Sequence, residues 1–122
     1  MKKNKPNPEN HPPRRSGNRL LQLKAESRQI AYIKADGVYS IVQYRNGKRD
    51  WICYTLAKCE KALQKGMFIR CHRSYLINVY YISKVDLKKQ YAITLRKGKK
   101  IDISRRRRNK VATAPAVKRK AT

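Results

Sequence analysis

The chain is predicted to fold as a mostly-β domain carrying one clear helix, and three observations support this. Between about residues 18 and 112, short stretches rich in β-branched and aromatic residues alternate apolar with polar positions. Turn dipeptides separate them, at Asp36-Gly37, Asn46-Gly47 and Lys97-Gly98. A single segment, Thr55 to Gly66, changes to helical spacing.

In chain order, residues 1–17 are rich in Pro, Asn and charge and lack apolar periodicity, so they are predicted as a disordered basic arm. Arg19–Leu23, Ile30–Lys34 and Tyr39–Tyr44 follow as candidate strands. Asn46-Gly47, lying between Ser40–Tyr44 and Lys48–Cys53, predicts a type I′ hairpin, because Asn and Gly tolerate positive φ. Thr55 is a plausible N-cap. Leu56, Cys59 and Leu63 then share one helical face, and Gly66 sits where a C′ glycine would end the helix. Phe68–Cys71, Lys84–Leu87, Tyr91–Arg96 and Lys99–Ile103 resume the strand pattern. A short C-terminal helix is expected from an N-cap at Ser104 through the arginines to Val111. Residues 113–122 are read as a disordered basic tail. One domain, 18–112, thus stands between two basic flanks.

Charge narrows the partner. The 122 residues hold 32 Lys+Arg against 7 Asp+Glu, a formal net charge of +25 at pH 7. About half of that excess lies within residues 20–103, so the tails are not its only source. So lopsided a surface calls for a polyanion, and nucleic acid rewards it by releasing condensed counterions. A membrane partner would need a basic amphipathic helix or a long apolar run, and the sequence offers neither. The N-terminus lacks the apolar core of a secretory signal, and the odd cysteines Cys53, Cys59 and Cys71 suit a reducing compartment. A cytoplasmic location is expected.

Catalysis finds no foothold. The acidic residues are scattered singly, and no Gly-rich phosphate loop or nucleophile elbow occurs. Cys71 and His72 are neighbours on a strand and so point to opposite faces. Cys53, Cys59, Cys71 and His72 lack the paired spacing of a zinc site. No enzyme activity, cofactor, metal or small-molecule substrate is expected.

The informative stretch is Phe68 to Val85, FIRCHRSYLINVYYISKV. Its R-x-H-R-S run followed by apolar-Asn-apolar resembles the signature of the LytTR DNA-binding domain. Two flanking segments agree with that family in order and spacing: IAYIKADGVYSI at 30–41, and RKGKKIDISRRRR at 96–108. The resemblance covers about residues 18–112. It implies short strands in small antiparallel sheets, one helix between the halves and a short C-terminal helix. It also implies a bacterial transcription regulator whose loops enter successive major grooves of double-stranded DNA. Two copies would bind a direct repeat, with at most weak dimerisation on the DNA. The contacting residues it implies are Tyr39 and Ser40 after the first strand, His72, Arg73 and Ser74 at the turn, and Ser104, Arg105 and Arg106 at the last helix. Relatives commonly attach this domain to a receiver or a membrane sensor. Seventeen leading residues are too few for the first and too polar for the second, so the resemblance is to the DNA-binding domain alone, free-standing or part of something longer.

The residue chemistry agrees with those positions. Arg73 and Arg106 can each grip guanine O6 and N7 bidentately, a geometry lysine lacks. Tyr39, Ser74 and Ser104 bring hydroxyls suited to phosphates. His72 either donates to DNA or orders its turn, and Asn78 is expected to hold a tight turn through its amide. Arg107 and Arg108 are left as phosphate contacts or solvated charge. The rival reading is a basic RNA-binding or ribosome-associated structural protein, which composition alone would favour. Against it stand the three ordered motifs and the lack of an RNP, KH or dsRBD pattern.

Overall fold

The structure, a computed structural model, describes residues 17–118; residues 1–16 and 119–122, holding most of the predicted arm and the end of the predicted tail, lie outside it. Among the described residues, eight strands form two antiparallel sheets. The larger runs in the order β3-β2-β1-β5-β4, from β1 (Ile30–Asp36), β2 (Tyr39–Tyr44), β3 (Arg49–Ile52), β4 (Phe68–His72) and β5 (Tyr75–Asn78). The smaller contains β6 (Ile82–Asp86), β7 (Ala92–Leu95) and β8 (Lys100–Asp102) in sequence order. The mostly-β expectation therefore holds.

Two cores lie on opposite faces of the larger sheet. On one face Ile33, Val42, Ile52 and Leu76 pack with Leu23, Leu56 and Cys59 of α1 (Gly17–Ala25) and α2 (Leu56–Ala62). On the other, Cys71 and Ile77 meet Val85, Ile93 and Ile101 of the smaller sheet, with Val111 and Val117 of α3 (Arg108–Thr113) and α4 (Pro115–Lys118). β5 is therefore covered on both sides, with Leu76 facing one core and Ile77 the other. A register shift between Ile30 and Tyr32 turns the adjacent Ala31 and Tyr32 toward the same core, so that Ile30 and Ile33, three residues apart, both face the other.

α2 is the predicted helix, capped as expected by the Thr55 side chain, which accepts from Lys58 N at 3.2 Å. It stops earlier than predicted. Leu63 is already extended (ψ 166°), and Gly66 (φ +82°) serves the turn into β4 rather than the helix end. Three other expectations need correction. Arg19–Leu23 is helical: Leu23 is fully buried and Leu20 packs beside it, while Leu21 is 68% exposed. That is the burial of an i, i+3 face in a segment without β-branched residues. The 46–47 turn is not type I′. Positive φ occurs at Gly47 (+96°) but not at Asn46, and Tyr44 N donates to Lys48 O at 2.9 Å, closing a three-residue loop around a left-handed glycine. The tail boundary also shifts. Pro115–Lys118 is helical and Val117 is fully buried, so the folded part extends beyond residue 113.

Candidate nucleic-acid interface

β1 and β4 run parallel to each other with β5 antiparallel between them, which brings their C-terminal ends to the same end of the sheet. Two main-chain bonds tie together the loops at that end. Ala35 N donates to Ser74 O at 2.9 Å, joining the β1–β2 hairpin to the β4–β5 turn. Ser104 N donates to Cys71 O at 2.9 Å, joining the start of the C-terminal helices to the end of β4, next to the same turn. Three segments distant in sequence thus form one surface.

The β4–β5 turn is the most heavily built. His72 Nδ1 accepts from Ser74 N at 3.1 Å, so this ring orders the turn with its lone pair. The imidazole and the Tyr75 ring make a T-shaped contact with 6.0 Å between centroids. Arg70 reaches under the loop, donating from Nε to His72 O at 3.1 Å and from Nη2 to Arg73 O at 2.6 Å. Its Nη1 stands 3.6 Å from Glu60 of α2. Arg73 is left exposed at the tip, its backbone held by another arginine. Sequence reasoning missed Arg70, although it opens the R-x-H-R-S motif. The register shift between Arg70 and His72 is what turns its side chain toward the loop.

In the first hairpin, Gly37 (φ +62°) and Val38 form the two-residue connection between Asp36 and Tyr39. Val38 is 75% exposed at the tip, an apolar side chain that sequence reasoning also missed. Tyr39 is half-buried. Ser40 is corrected as a contact residue. It is 1% exposed, and its hydroxyl donates to Tyr54 O at 2.6 Å, beside the Cys59 thiol, on the face turned toward α2.

At the third segment Ser104 is half-buried, and Arg105 and Arg106 are exposed on a 3₁₀ turn spanning Arg105–Arg107. Ser104 occupies the cap position without a side-chain cap bond. Arg107 N is bonded to Ser104 O and Arg108 N to Arg105 O, so these amides are spent within the turn rather than offered to an anion. Arg108 is bracing: its guanidinium lies 3.6 Å from the centroid of the Tyr91 ring. Asn78 matches its expected role, being buried, donating to Ile30 O at 2.8 Å and accepting from Tyr80 N at 2.9 Å. Cys59 and Cys71 lie in separate cores on opposite faces of the sheet, so the cysteine and histidine quartet does not converge.

Two packed sheets present three pinned loops at one end, two of them carrying exposed arginines, and comparison with known proteins gives the class. Residues 21–114 match the LytTr DNA-binding domain family, and the chain belongs to that family. A solved LytTr DNA-binding domain from Bacillus cereus shares the fold at a TM-score of 0.65 and 22% identity, over 71% of this chain and 81% of that one. An uncharacterized response regulatory protein of Yersinia pestis is 31% identical over 98 residues, 79% of this chain. The chain spans 39% of that relative's length. Among the described residues, no helix is long and apolar enough to cross a membrane.

Proposed function

We propose that this chain binds double-stranded DNA sequence-specifically, as the reading module of a bacterial transcription regulator in the cytoplasm. The observation that carries the reading is the surface on which Arg73, Arg106 and Val38 project from three loops joined by main-chain hydrogen bonds. Arg73 and Arg106 address guanines in successive major grooves, since each can span O6 and N7. Val38 offers an apolar contact to a thymine methyl. Tyr39, Ser74, Ser104 and Arg105 take phosphates around them, and His72 shapes the turn. Ser40 has no part in contact. Two copies on a direct repeat about 21 base pairs apart would lie on one side of the helix. The basic residues of 1–16 and 119–122 add sequence-independent attraction to flanking phosphates.

The test is selection from a random duplex library at near-physiological salt, with the wild type, Arg73→Ala and Arg106→Ala in parallel. The expected result is a recovered motif that degenerates at a different position in each variant, by about 1–3 kcal/mol of discrimination. A wild-type protein that recovers no motif, or that prefers structured RNA in competition, rejects the reading.

A further inference from the structure

On the face of the larger sheet opposite α2, two lysines from different sheets share one aromatic ring. Lys34 of β1 places Nζ 5.8 Å from the Tyr75 centroid, and Lys99, in the β7–β8 loop, places Nζ 5.9 Å from it. Lys99 is also 5.8 Å from the Tyr32 ring, which in turn lies 5.8 Å from Tyr75, tilted by 57°. The two ammonium groups therefore stand no farther apart than two such radii. The ion pairs found among the described residues join Arg19 to Glu26 and Asp50, and Arg70 to Glu60, and neither lysine belongs to them. Tyrosine faces attract cations and hold these flexible side chains in place, but they do nothing to offset the repulsion between the two charges. Two exposed cations held beside one ring in this way suit a polyanion that places one of its charges on each.

The position of the pair says which anion. Lys34 directly precedes Ala35, whose N–H binds Ser74, and Tyr75 directly follows Ser74. The T-shaped contact between His72 and Tyr75 continues the same surface to the turn tip. Lys34 and Tyr75 thus lie one residue back from the two joined loops, and Lys99 reaches over to them from the β7–β8 loop. We propose that Lys34 and Lys99, held beside Tyr75, form a seat for two DNA backbone phosphates beside the β4–β5 turn. This rests on the DNA-binding reading above. The seat supplies affinity and register and leaves base preference to the loop tips.

Salt dependence isolates such a contact, because each phosphate neutralised adds about 0.9 to the slope of log affinity against log salt. The experiment uses the full chain and its selected duplex, with Lys34→Gln/Lys99→Gln compared against Lys58→Gln/Lys61→Gln. The second pair removes equal charge from α2, on the other face of the sheet. All proteins are first checked for unchanged melting temperature. The expected result is a slope lowered by about 2 in the first pair alone. Between 50 and 200 mM salt that is roughly a tenfold smaller loss of affinity, with the selected motif unchanged. An unchanged slope overturns the seat, as does an equal drop in the α2 pair, which would mark a general charge effect. Loss of the motif with the slope intact would assign the lysines to base reading and overturn it too. A wild type that binds no duplex fails the underlying reading first, and the seat with it.

Discussion

Arg70 and Arg73 lie three residues apart in one motif and do opposite work. Arg73 is exposed at the tip, whereas Arg70 is tied to the carbonyls of His72 and Arg73 and to Glu60. Replacing Arg70 by Met keeps the stem and removes the fork. Because the two carbonyls can turn to water, the expected loss of stability is about 1 kcal/mol. The loss in DNA reading should be larger, with the selected motif blurring where Arg73→Ala blurs it. A motif as sharp as wild type from Arg70→Met would show that the turn holds itself. The two arginines were indistinguishable in sequence because their roles separate only at a register shift, which no side-chain pattern announces. Ser40 was misjudged for another reason. A serine beside a tyrosine near a loop reads as a polar contact, yet strand alternation places it with buried Val42 and opposite Tyr39. The parity of β2 contained that answer.

Among the elements, those with a strong local signature were legible and those made by packing were not. α2 announced itself through its cap and spacing, and β1, β2, β4 and β7 through alternation. β5 is absent from the strands that the sequence pattern predicts. Its apolar run Leu76–Ile77, buried on both faces, has no alternation to show. α4 is four residues long and cannot sustain itself, since helix nucleation is unfavourable. What holds it is Val117, fully buried beside Val111 and the smaller sheet. Val117→Ala is expected to cost about 1.5–2 kcal/mol, read as a lower unfolding midpoint in urea. Val117→Asp should cost more, because it buries a charge without a partner. A midpoint unchanged in both variants would mean that the chain beyond Thr113 contributes nothing to the fold.

At the scale of the molecule, two cores share a single central sheet, and each holds a buried thiol. Burial pushes Cys59 up to about 11 and Cys71 up to about 12, so almost none of either exists as reactive thiolate near neutrality. Both should resist alkylation at pH 8 in the native protein and react only through unfolding. Because β1 and β5 pack into both cores, the two thiols are expected to become reactive at the same urea concentration. Labelling of Cys71 well before Cys59 would show the smaller sheet opening on its own. The overall β class and the partner were legible because charge and motif order are properties of the chain itself. The two-core arrangement was not, since it depends on which faces meet. One further consequence lies in the joints between the loops. The bonds Ala35 N to Ser74 O and Ser104 N to Cys71 O run from peptide to peptide and are blind to the side chains at the tips. On the proposed reading, a lineage built on this scaffold can therefore change which base pairs it recognises by exchanging Val38, Arg73 and Arg106, while every joint that aligns them stays in place.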